Sequence, residues 1–191
     1  VLSIHNICEI GSYMGTKIGS WFSPTITADS IKLLNNEEHT SPIHIIVFKN
    51  GIIDLDSVFN KIEEGVSVLL MIPLMLGLNS ICANYKEAIF DMFRSNLFCG
   101  IVGGKPNVSM YFIGYSERNL LCINPHDVKI YHEATDYETL NCCDMEFMDI
   151  DHMDPSMIFG FILKTKEDAN ELEDYIKNLS TLYEFPICIG K

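Results

Sequence analysis

Apolar residues change their spacing along this chain from three-and-four to two and back again, and the changes mark out its elements. In "WFSPTITADSIKLL" Ile26, Ala28, Ile31 and Leu34 line one broad helical face, Ser23 suits an N-cap, and Pro24 suits the first helical position. "IHIIVF" is short and β-branched and predicts a strand, after which "KNG" turns the chain. "VSVLLMI" predicts a second, buried strand. In "NSICANYKEAIFDMF" the residues Tyr85, Ala88, Ile89, Met92 and Phe93 return to helical spacing. Three strands, "LFCGIV", "VSMYFIGY" and "LLCIN", follow closely, and "MIFGFIL" predicts one more. The last helix begins near Thr165, with Asp168 placed as a capping-box acid and Ala169, Leu172, Ile176 and Leu179 as the buried stripe. Strands cluster centrally with helices on either side. One α+β domain spanning residues 1–191 is the simplest account.

Composition narrows the classes of partner. Thirteen basic against 26 acidic residues give a formal charge of −13, which argues against nucleic acid or an anionic membrane, because both need a basic face. The longest apolar run, "VSVLLMIPLMLGL", is about five residues short of a bilayer span and carries Pro73 and Gly77. Residues 133–154 hold eight acids and no Lys or Arg, and are expected as a solvated, partly disordered excursion. Seven cysteines lie without a framework spacing and no signal peptide precedes them, so the reducing cytosol is the expected compartment. The chain opens on Val1 rather than Met, which suggests a piece of a longer protein.

Four stretches tempt a chemical reading. "GIVGGKPNVS" lacks the glycine spacing and the Lys-Ser/Thr pair of a nucleotide loop, leaving a Gly-rich turn or a mobile loop beside a cleft. His132, Cys142, Cys143 and His152 lack the paired spacing of zinc ligands, so no metal or other cofactor is expected. "GSYMG" is not a serine-nucleophile elbow, and His5, His39 and His44 have no chemical partner nearby in sequence. "LCINPHDV" remains. Its apolar run carries His126 to a sheet edge, and Pro125 holds Asn124 extended. A turn is the plain reading. The sharper one is two members of a Cys-His-Asn triad, in which the imidazole takes a thiol proton and the amide holds its other nitrogen.

A wider stretch, "GGKPNVSMYFIGYSERNLLCINPHDV", closely resembles the autophagin family, the autophagy-related protein 4 cysteine peptidases. "SIHNICEIGSYMGTKIGSWFSPTITADSIKLL", "LLMIPLMLGLNSICANY" and "MDPSMIFGFILKTKEDANELEDYIKNLS" are similar to further segments of that family, in the same order. The resemblance implies a papain-like fold and a cytosolic thiol peptidase. Such an enzyme trims the C-terminus of a ubiquitin-like autophagy modifier (autophagy-related protein 8) after glycine and releases it from phosphatidylethanolamine. A membrane would then be met only through the lipidated substrate. His126 would be the general base, Asn124 would stand at the family's aspartate position, and Gly103, Gly104, Lys105 and Pro106 would form a mobile loop over the cleft.

This sequence departs from that pattern twice. Asn124 replaces the aspartate, and none of the seven cysteines follows the Trp-Gly pair that precedes the family nucleophile. The only tryptophan, Trp21, belongs to another segment. The piece alone is therefore expected to be inactive, and to leave an apolar strip of its sheet open to self-association or to pairing with the missing half. The alternative function is a non-catalytic homologue that binds the modifier or an adaptor. A third is an assembly module whose acidic stretch meets a basic partner.

Overall fold

The computed structural model describes residues 2–38, 41–105, 108–126 and 145–190. The elements run α1 (Ile4–Tyr13), α2 (Pro24–Glu37), β1 (Ile43–Val47), β2 (Ile52–Ile53), α3 (Leu55–Glu63), β3 (Ser67–Met75) and α4 (Ala83–Met92). Then come β4 (Phe98–Lys105), β5 (Val108–Ser116), β6 (Asn119–Ile123), β7 (Met145–Asp149), a single 3₁₀ turn (Ile150–His152), β8 (Ser156–Leu163), α5 (Lys166–Tyr183) and β9 (Cys188–Ile189).

Local chemistry starts the helices where the sequence reading puts them. Ser23 accepts from the Ile26 backbone N–H with Pro24 just inside α2. Thr165 and Asp168 form a complete capping box at α5, and the stripe Ala169, Leu172, Ile176 and Leu179 is buried. The sequence reading passes over α3. Its start is nonetheless local, since the Asp54 side chain accepts from the Asp56 backbone N–H and Leu55, Val58 and Ile62 are buried.

Seven strands form one sheet in the order β1-β3-β8-β4-β5-β6-β7, and β2 pairs with β9 in a small separate ladder. Only β1 and β3 run parallel within the large sheet. Alternation along the central strands splits the core in two. Leu70 and Ile72 of β3 and Met157, Phe159 and Phe161 of β8 enter a large cluster with residues of α3, α4 and α5. Met71 and Ile158 point the other way and meet Ala28 of α2 and Ile45 of β1. Beyond α2 that second face is open, and Val102, Tyr111, Met145 and Phe147 are each more than a third exposed. Cross-strand pairing of Val102 with Tyr111, of Tyr111 with Ile123 and of Ile123 with Met145 sets one apolar strip along it.

Within the acidic stretch, residues 145–152 form a strand and a turn. The strand pairs from Ile123↔Met145 to Asn119↔Asp149, and the Asp149 side chain caps the following turn by accepting from the Asp151 backbone N–H. Apolar Met145, Phe147 and Met148 alternating with acids suit an edge strand, which a count of charges hides. The rest of the stretch, residues 133–144, lies outside the described residues. Among the described residues no helix is long and apolar enough to cross a membrane.

Candidate active site

The end of β6 carries the candidate dyad. Asn124 follows directly on Ile123, and its Oδ1 accepts the backbone N–H of His126 at 3.0 Å, closing an Asx turn around Pro125. The same Oδ1 lies 2.9 Å from Nδ1 of the His126 ring. At the other end of the amide, Nδ2 donates to Oε1 of Glu146 at 3.1 Å.

Those partners fix both the amide and the ring. A backbone N–H can only donate and an ionised carboxylate can only accept, so Oδ1 must face His126 and Nδ2 must face Glu146. Facing an acceptor, Nδ1 of the ring carries the proton. Nε2 is then the basic nitrogen, and among the described residues it has no hydrogen-bond partner. His126 is exposed, so a substrate can reach it. The turn and the Asn124–His126 contact are here one structure. The turn is what points the ring.

Sheet register explains how Glu146 arrives. It pairs directly with Cys122, and directly paired residues share a face. Asn124 is two residues beyond Cys122, so it shares that face too. No sequence spacing could reveal this, because the partners are 22 positions apart and joined only by register.

The described cysteines do not complete a thiolate site. Cys122 is buried and its thiol donates to the Glu146 carbonyl at 3.5 Å. Burial pushes that thiol's pKa up, and the Glu146 charge pushes it further. Burial likewise raises Cys99, against a smaller opposing pull from Lys164. Both shifts favour the neutral thiol, whereas a nucleophile needs the opposite. Among the described residues no cysteine is hydrogen-bonded to His126. Nor do any three of His, Cys, Asp and Glu gather as metal ligands among them, while His132, Cys142 and Cys143 lie outside the described residues.

The glycine segment forms a second feature nearby. Gly103, Gly104 and Lys105 are not a free loop but the paired end of the β4–β5 hairpin, opposite Met110, Ser109 and Val108. Pro106 lies outside the described residues. Gly104 has φ +152°, and a Cβ there would fall 1.9 Å from the Val108 carbonyl oxygen, so the close approach requires glycine. Its carbonyl accepts from the Asp154 N–H at 2.7 Å, tying the hairpin to the start of β8. Trp21, Phe22, Gly103, Gly104, Lys105 and Asp154 line one cavity. Lys105 also borders a second cavity, with Cys122, Glu146 and His152. Trp21, set apart from the site in the sequence reading, therefore faces the same hollow as the glycine segment.

A largely antiparallel sheet flanked by helices is consistent with a papain-like peptidase scaffold. The peptidase C54 catalytic domain family matches residues 1–175, and the chain belongs to it. It is 29% identical over 177 residues to a probable cysteine protease atg4 of Schizosaccharomyces pombe, covering 90% of this chain and 54% of that protein. It is 29% identical over 189 residues to the cysteine protease ATG4D of Xenopus laevis, covering 91% and 40% respectively. A probable cysteine protease ATG4 of Meyerozyma guilliermondii is 32% identical over 183 residues, covering 90% and 42%. The chain thus spans about half or less of the length of these relatives.

Proposed function

We propose that the full-length protein is a cytosolic thiol endopeptidase that cleaves a ubiquitin-like autophagy modifier after its C-terminal glycine, and that this chain supplies the base. The observation that carries the reading is the 2.9 Å approach of Asn124 Oδ1 to His126 Nδ1, with the amide held at both ends. Membership of the C54 family and the likeness to atg4 and ATG4D cysteine proteases support it.

In this reading Nε2 of His126 takes the proton of a cysteine thiol that lies outside the described residues. The thiolate adds to the carbonyl carbon of the glycine. Collapse of the tetrahedral adduct breaks the C–N bond, and the imidazolium returns its proton to the leaving amine. Water then attacks the thioester with Nε2 again taking a proton, freeing the glycine carboxylate and restoring the thiol. The same steps release the modifier when the leaving amine is that of phosphatidylethanolamine. Asn124 keeps the ring in the Nδ1–H tautomer throughout. The cavity of Trp21, Gly103, Gly104 and Lys105 is the reading's place for the modifier's narrow glycine tail.

His126→Ala in the full-length protein should abolish cleavage of the modifier, and retained turnover would remove His126 from the mechanism. This chain alone should be inactive. Its strip of Val102, Tyr111, Met145 and Phe147 should pair with the rest of the protein or with a second copy. A monomeric mass by light scattering for the isolated chain would count against that pairing.

The neutral Asn124 and the raised pKa of Cys99 and Cys122 keep a second reading in view, a homologue that binds the modifier without cutting it. Binding by the full-length protein with no cleavage under reducing conditions would select it.

A further inference from the structure

We propose that Glu146 is a positioning residue for His126. Its carboxylate anchors Nδ2 of Asn124, holds Oδ1 on the ring, and supplies through the amide the negative charge that an aspartate at position 124 would carry. The inference rests on the reading of His126 as the general base.

Three observations carry it. The Asn124 Nδ2 to Glu146 Oε1 hydrogen bond, at 3.1 Å, is in series with the Oδ1 contact to Nδ1 at 2.9 Å. Hydrogen bonds in series polarise one another, so a carboxylate on Nδ2 makes Oδ1 a better acceptor. The Cys122↔Glu146 pairing sets Glu146 beside Asn124 by register, so a folded sheet has the contact already made. Finally, the amide at 124 is what makes the arrangement workable. Asparagine presents an N–H to Glu146, where an aspartate would present a second negative charge and be repelled.

The last point gives the inference a signature that a merely structural glutamate would not have. Glu146 should help when residue 124 is Asn and hinder when it is Asp. Glu146→Gln keeps an acceptor but removes the charge, whereas Glu146→Ala removes both. Lys105 from β4 and Asp149 and His152 from the segment after β6 line the cavity that Glu146 borders. They are unchanged in both variants, so differences between variants report Glu146.

The experiment uses the full-length protein with ring-¹⁵N histidine, the His126 signals being assigned by their loss in His126→Ala. In the parent the Nδ1–H tautomer should dominate at neutral pH. Glu146→Gln should keep that tautomer, because its amide oxygen still accepts from Nδ2. Glu146→Ala should let the Nε2–H tautomer appear. Modifier cleavage should fall roughly three- to thirty-fold in Glu146→Gln, the scale of losing the charge assistance in one hydrogen bond, and should not fall when the same change is made in Asn124→Asp. An unchanged tautomer in Glu146→Ala would overturn the inference and leave the peptidase reading intact. An equal fall in the Asn and Asp backgrounds would also overturn it. Undiminished cleavage by His126→Ala would instead bring down the peptidase reading itself.

Discussion

Two histidines stand toward opposite edges of the seven-stranded sheet, each beside an asparagine, and the two asparagines are bonded differently. His44 lies on β1, the edge strand under α2, with Nε2 3.4 Å from Nδ2 of Asn36. Asn36 is occupied by the backbone. Its Nδ2 donates to the Ile45 carbonyl at 2.8 Å and its Oδ1 accepts the Ile45 N–H at 2.9 Å. Asn35 donates to the Ile43 carbonyl at 2.7 Å, so the two amides close an edge that would otherwise invite another strand. Asn124 at the far side has its amide oxygen on a ring nitrogen and its amide nitrogen on a carboxylate. The same pair of residue types closes a sheet edge in one place and sets a ring nitrogen on an amide oxygen in the other. What the asparagine's remaining atoms bond decides which.

The hardest test of that contrast is catalytic. In the full-length protein His126→Ala should lower modifier cleavage by about 10²–10⁴-fold or more, the range for losing a general base. His44→Ala should leave it within about twofold. Equal losses would mean that both changes act through the fold, and the contrast would collapse.

A smaller effect runs in the opposite direction. Asn36→Ala strips two hydrogen bonds from the backbone of Ile45, which is 3% exposed, and should cost about 1–3 kcal/mol of stability. Asn124→Ala removes contacts among exposed or half-buried groups and should cost less than about 0.5 kcal/mol. Urea unfolding of the two variants measures this. A comparable loss at both positions would make Asn124 a structural amide.

How much of this could be read from the chain depends on whether the cause is local. The caps of α2 and α5, the buried stripe of α5 and the β4–β6 strands follow from neighbours a few residues away, and they form as expected. Asn124 and His126 were legible for the same reason, since Pro125 confines their relation to three residues. Glu146 was not, because it reaches Asn124 through a ladder closed by residues far apart in sequence. Strand β7 was hidden by its acids, and Trp21 meets the glycine hairpin only through tertiary packing. The glycine segment reads as a loop by composition, yet glycine here permits close pairing at the hairpin's end.

The finest test concerns His44 and pH. Burial lowers its pKa most, Lys61 lowers it further, Glu64 on the same turn opposes, and Lys32 of α2 adds a smaller downward pull. The folded state therefore binds a proton less readily than the unfolded chain. A histidine in that position leaves stability intact above the ordinary imidazole range and removes some as pH falls through it, because the unfolded state takes up the proton first. His44 is only half-buried and solvent screens its charged neighbours, so the slope should be shallow. His44→Gln should flatten it. The measurement is the difference in thermal midpoint between parent and variant, followed from neutral to mildly acidic pH in one buffer series. A difference that stays constant with pH would mean that protonation of His44 is not felt by the fold, and that the β1 edge treats its histidine as an inert filler beneath α2.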